Sequence, residues 1–238
     1  MSNMVSNQTD IENEILALIY SQNAEQKSSF MMMKSYRGLI FSQEIRTVAV
    51  NDHYAVFQAL ERNCCAALEG CVLLSSSFLP KPVKARVRNL SVHKGMLSLS
   101  NFEYVLSDWK ERCHERVQPK EPTYFSLYHR KGFVRASLLD ISLCGMGVLI
   151  CSSEDCEFEP NSSVCVDFQI TPAFRWIKLG GAIHYQQKKL PTTISRLGIR
   201  LYPKIEQAQL LKKYLAYRKA EILNEIEKNY IAATSYSL

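Results

Sequence analysis

The chain has 238 residues, 47% of them apolar and 22% charged, with a formal net charge of +6 at neutral pH. That length suits two modest domains or one large one, and that apolar share supplies real cores, which excludes a globally disordered chain. The positive balance favours anionic partners but falls short of the dense basic stripe of a dedicated nucleic-acid binder, and no run of eighteen apolar residues is present to cross a membrane.

The first ten residues are polar, with no basic start leading into an apolar core. No signal peptide is expected, and the cytoplasm is the expected compartment. Residues 11–20 carry apolar side chains at 11, 15, 16, 18 and 19, which predicts a short amphipathic helix with Asp10 as its N-cap. Short β-rich runs follow at 30–33, 39–41, 48–50, 71–74, 83–87 and 96–99. Polar or Gly/Pro turns separate many of them, Pro80-Lys-Pro82 and Lys94-Gly95 among them, and strands at this spacing predict a small barrel or sandwich. Within 81–88, alternation places Lys84, Arg86 and Arg88 on one face of a strand, read as a solvated face.

Residues 102–109 mix apolar and acidic side chains and carry no clear period. They lead into charged residues and then Pro119 and Pro122, the composition of a linker. A second β-rich block follows, with strands expected at 124–128, 133–139, 147–151, 164–170, 176–185 and 194–202. Residues 205–230 contain neither Pro nor Gly and place apolar residues at 210, 211, 214, 215, 222, 223 and 226, a long C-terminal amphipathic helix whose stripe packs on its own barrel. The fold class expected is mainly β: two β-barrel-like domains, with an α-helix at the N-terminus and a long one at the C-terminus.

The eight cysteines, Cys64, Cys65, Cys71, Cys113, Cys144, Cys151, Cys156 and Cys165, show no C-x-x-C pair. Reduced, packed thiols are expected rather than zinc ligands or disulfides. The five histidines show no H-E-x-x-H or H-x-H spacing, and neither a G-x-S-x-G serine nor a P-loop is present, so no enzyme, metal or cofactor is expected.

Two short motifs remain. Arg112-Cys-His-Glu-Arg116 holds two guanidinium groups four residues apart, suited by their rigid forks to phosphate. Asp140-Ile-Ser142-Leu-Cys-Gly145 offers a carboxylate for the N–H edge of a guanine, a hydroxyl, and glycines that allow a tight turn. Each pattern alone is common. Arg196-Leu-Gly-Ile-Arg200 also fits R-x-x-x-R, and Asn89-Leu-Ser91 with Gly95 misses the second by one residue. The order and setting give the pair weight: arginines in a linker, then Asp-Ser-Gly in the first strands of a barrel.

In that order, Arg112-x-x-x-Arg116-Val-x-Pro followed by Asp140-x-Ser142-x-x-Gly145 resembles the PilZ domain, a bacterial receptor domain for cyclic di-GMP. Leu197-Gly198-Ile-Arg-Leu201-Tyr is similar to the closing strand of that family, and a helix commonly follows it. The resemblance implies an N-terminal YcgR-like split-barrel domain with its leading helix at 1–107, a linker at 108–122 and a six-stranded PilZ barrel with a C-terminal helix at 123–238. It implies cyclic di-GMP as ligand, with Arg112 and Arg116 gripping phosphates and guanines, Asp140 and Ser142 binding on the barrel surface, and Gly145 shaping the turn. Glu111 stands where many relatives carry a basic or polar residue, and His114 and Glu115 are read as solvent-facing spacers. The implied output is a changed arrangement of the two domains and altered affinity for a protein partner, such as a flagellar motor component or exopolysaccharide or secretion machinery. The alternatives are a ligand-controlled DNA-binding transcription regulator and a PilZ-like interaction module that has lost its ligand.

Overall fold

The computed structural model describes residues 2–24, 29–106, 114–151, 157–169, 176–188 and 193–235. Arg112 of the first motif, with Lys110, Glu111 and Cys113 beside it, lies outside the described residues. The described chain forms two closed six-stranded antiparallel barrels and two long helices, the mainly β architecture that the strand pattern predicts. It falls into two compact units, the first containing Ile40–Arg112 and the second Cys113–Ile222. Leu223–Leu238 belong to the first unit and Arg37–Leu39 to the second.

In the first unit, helix α1 (Ser2–Ala24) precedes β1 (Ser29–Tyr36), β2 (Leu39–Val50), β3 (Ala55–Ala59), β4 (Cys71–Ser75), β5 (Val83–Ser91) and β6 (Met96–Tyr104). The barrel order is β1-β2-β3-β6-β5-β4, closed by pairing of β1 with β4 through Met32 and Leu74. Alternation sends Phe30, Met32, Phe57, Leu74, Val83 and Leu97 inward, where Phe30 meets Phe57 edge-on at 5.4 Å. Ile15, Leu16 and Ile19 of α1 join that core. Glu12 of the same helix accepts the backbone N–H groups of Asn101 and Phe102 at 2.6 and 3.3 Å.

Three expectations change here. Helix α1 starts at Ser2, so Asp10 lies inside it rather than at its cap; its early turns are largely polar, and apolar periodicity marked only the face that packs. The runs at 39–41 and 48–50 are one strand, β2, which is kept continuous through its polar middle and shifts register between Thr47 and Ala49. Strand β3 has five residues, too few for a two-residue period to stand out, and Phe102–Tyr104 of the unassigned stretch complete β6.

The second unit contains β7 (Tyr124–His129), β8 (Gly132–Ile141), β9 (Gly145–Cys151), β10 (Ser163–Phe168), β11 (Ile177–Lys188) and β12 (Ile194–Leu201), ordered β10-β11-β12-β9-β8-β7. Pairing of β7 with β10 through Leu127 and Val166 closes it. Its interior holds Leu127, Leu138, Val148, Val166, Phe168, Leu179, Ile183, Leu197 and Ile199, each nearly or wholly removed from solvent. Helix α2 (Ile205–Ser235) follows. Its buried stripe runs Leu211, Tyr214, Arg218, Ile222, so the gap that the sequence shows between 215 and 222 is filled by an arginine only 1% exposed. Among the described residues, no helix is long and apolar enough to cross a membrane.

Candidate functional site

Strand register builds the site. Across β11, β12, β9 and β8 one cross-strand row reads Tyr185, Gly198, Gly147, Asp140. Their strand neighbours Leu197, Ile199 and Val148 point into the core, so this row faces outward. Two irregularities set it. The register shifts between Leu138 and Asp140 on β8 and between Ile183 and Tyr185 on β11, which turns both side chains onto the outer face. The two glycines between them keep the surface shallow. A Cβ on Gly147 would stand 3.0 Å from Asp140 Oδ2, and one on Gly198 would overlap the Tyr185 ring. Asp140 and Tyr185 thus lie down over bare backbone.

Arg116 reaches this surface from the segment before β7. Val117 and Ile141 form an isolated antiparallel bridge with reciprocal N–H to O bonds of 2.9 Å each, which fixes Arg116 beside Asp140. Arg116 Nη1 donates to Asp140 Oδ1 at 3.1 Å. On the other side, Arg196 Nη2 of β12 stands 3.5 Å from Asp140 Oδ2. One carboxylate therefore sits between two guanidinium groups from distant parts of the sequence. The Asp140 side chain is 13% exposed against 31% for Arg116 and 44% for Arg196, so both cations face solvent while the acid beneath them is largely covered.

Ser142 and Gly145 close the β8–β9 hairpin. Ser142 donates from both its backbone N–H and its Oγ to Gly145 O, at 2.8 and 3.0 Å, and is 2% exposed. In this structure the Ser142 hydroxyl donates into the turn, which leaves its oxygen as an acceptor. Gly145 has no left-handed backbone; its role is close approach, since a Cβ there would stand 3.2 Å from Ile199 O.

Within the arginine motif, His114 and Glu115 face solvent as expected. Glu115 is more than a spacer, because it accepts two bonds from Lys219 Nζ of α2 at 2.7 and 2.8 Å. Further along, Arg218 Nε donates to Gln118 O at 2.9 Å, and Lys120 Nζ lies 3.7 Å from Glu221, which also pairs with Arg218. The segment carrying Arg116 is thus fastened on one side to β8 and on the other to α2. Between them lies a groove of about 440 Å³ lined by His114, Val117, Leu143 and Leu215.

Arg116 and Asp140, one from each motif, lie side by side in the structure. Beside them stand Arg196, set aside from sequence as a chance R-x-x-x-R, and Tyr185, which the sequence reading did not single out. The pairings of β11 with β12 and of β12 with β9 place these two, and spacing along the chain does not show them.

No family model matches the sequence, and no curated protein does. Several solved structures are similar to this chain. Escherichia coli YcgR in complex with c-di-GMP is 12% identical, over 91% of this chain and 96% of that one, with a TM-score of 0.45. The c-di-GMP complex of MrkH from K. pneumonia is 12% identical over 90% and 96%, with a TM-score of 0.47. The Bacillus subtilis inhibitor of motility MotI/DgrA is 10% identical over 81% and 96%, with a TM-score of 0.42. The PilZ domain of E. coli YcgR alone, with c-di-GMP, is 17% identical over 49% of this chain and 98% of that one, with a TM-score of 0.41. At such identities no ligand is carried over, and the chemistry of the site is read from this chain's own side chains.

Proposed function

We propose that this chain is a non-enzymatic bacterial receptor for cyclic di-GMP, its ligand held between the arginine segment and the outer face of the second barrel. The observation that carries the reading is the convergence of Arg116 and Asp140, from the two motifs, at 3.1 Å on the outward, glycine-floored face of the barrel. Arg112 and Arg116 supply charge-assisted bonds to the phosphates, Asp140 accepts from a guanine edge, and Gly145 with Ser142 shapes the hairpin beside them.

The segment 108–122 carrying both arginines is the linker between the domains in this reading. The ligand contacts linker and barrel together, so its binding favours the arrangement in which both contacts are made. That shift changes affinity for a protein partner in the cytoplasm, a flagellar motor component first, exopolysaccharide or secretion machinery next. Titration calorimetry with cyclic di-GMP, beside GTP and linear pGpG, tests the ligand. Binding of cyclic di-GMP well ahead of both controls is expected; equal binding of all three would leave only a general anion site.

A further inference from the structure

The carboxylate of Asp140 and the guanidinium of Arg196 lie side by side on the outer face, 3.5 Å apart. A guanine presents, in order along one continuous rim, N2–H, N1–H, O6 and N7: two donors and then two acceptors. A carboxylate beside a guanidinium presents two acceptors and then two donors. Arginine forking onto O6 and N7 is the commonest guanine-specific contact of proteins with nucleic acids, and an ionised carboxylate accepts without donating. Adenine offers N6–H₂ where guanine has O6 and has no N1–H, so the same pair of groups would meet donor with donor and leave a carboxylate oxygen against a bare ring nitrogen.

Arg196 is placed to hold that register. Its backbone sits within a closed barrel, paired with Gln187 on one side and Leu149 on the other, so only the side chain moves. Arg116, by contrast, approaches from a segment outside the strands and occupies the other carboxylate oxygen, Oδ1. An ionised carboxylate has about four acceptor positions over its two oxygens, so Asp140 can keep Arg116 while it receives a base. Tyr185, 37% exposed in the same cross-strand row, bounds the face on which such a base would lie.

We propose that Arg196 is a third arginine of the site and the residue that selects guanine over adenine, reading O6 and N7 while Asp140 reads N1 and N2. The inference rests on the cyclic di-GMP reading above and deepens it. The test is calorimetric titration of the full chain and of its Arg196→Ala and Arg196→Lys variants with cyclic di-GMP and cyclic di-AMP. Arg196→Ala should lose about tenfold to a hundredfold in affinity for cyclic di-GMP and little for cyclic di-AMP, which collapses the ratio between them. Arg196→Lys keeps the charge without the planar fork and should recover only part of the ratio. The Arg196 guanidinium is 44% exposed and Arg116 still pairs Asp140 when it is removed, so the melting temperature should hold in both variants and separate binding from stability. If the unsubstituted chain binds cyclic di-GMP and Arg196→Ala keeps the same guanine-to-adenine ratio, this inference is wrong and the receptor reading stands. If the unsubstituted chain binds neither dinucleotide, both fall.

Discussion

Arg218 is the most deeply buried charged side chain among the described residues, and its replacement by methionine tests how the arginine segment is held. Methionine keeps most of the stem volume, so packing against Leu211, Tyr214 and Ile222 changes little. Among the contacts that disappear are the Nε–H bond to Gln118 O and the pairing of Nη1 with Glu221 Oε2, at 2.9 and 3.2 Å. Glu221 is not stranded, because Lys120 stands at 3.7 Å and the Tyr217 hydroxyl donates to it at 3.3 Å. The main loss is therefore the charged bond to one backbone carbonyl, worth about 1.5–3 kcal/mol. For a chain of this size, each kcal/mol moves the melting temperature by about 2–4 °C, so a fall of roughly 3–12 °C is expected for the transition that includes the second barrel. Arg218→Ala also opens a cavity and should fall further. Circular dichroism melts and urea titrations of both variants measure this. Arg218→Met within about 0.5 kcal/mol of the unsubstituted chain would refute the claim that this residue anchors the segment.

Gly147→Ala places a Cβ 3.0 Å from Asp140 Oδ2, and the carboxylate must give way; affinity for cyclic di-GMP should fall several-fold with little loss of stability, read by calorimetry beside a melt. Burial pushes the Tyr214 phenol up to about 12. The folded chain then keeps its proton in a range where the unfolded chain, near 10, has lost it. Stability from this group is full below pH 10 and lost as pH rises toward 12, by at most about 3 kcal/mol. Urea midpoints from pH 9 to 11.5 should fall more steeply in the unsubstituted chain than in Tyr214→Phe. Burial likewise raises the Cys64 and Cys65 thiols to about 11, so near pH 8 they should react with a thiol reagent more slowly than the exposed Cys71, Cys144 and Cys151, as peptide mapping of labelled protein would show.

Local pattern and long-range pairing divide what the sequence reveals. Alternation in 124–128 and 164–168 finds β7 and β10 because each strand buries one face and wets the other. The expected exposure of Lys84, Arg86 and Arg88 on β5 holds for the same reason. Asp140 stands out because its motif is local. Arg196 does not: its partner is 56 positions away in the chain, and only the registers of β12 on β9 and β9 on β8 bring the two together. Arg218 hides differently, since a charged residue in a helical stripe reads as a break in the apolar face until the carbonyl that satisfies it is seen. Glu115 looks like a spacer because the helix that binds it lies about a hundred residues downstream.

The most direct test of the receptor reading is parallel calorimetric titration of cyclic di-GMP into the unsubstituted chain, Arg112→Ala, Arg116→Ala and Asp140→Ala, with melting temperatures recorded for each. Saturable binding by the unsubstituted chain is expected, with most affinity lost in either arginine variant while the fold is kept, because each removes charge-assisted phosphate bonds. Binding that survives all three substitutions undiminished, or no binding by the unsubstituted chain, would contradict it.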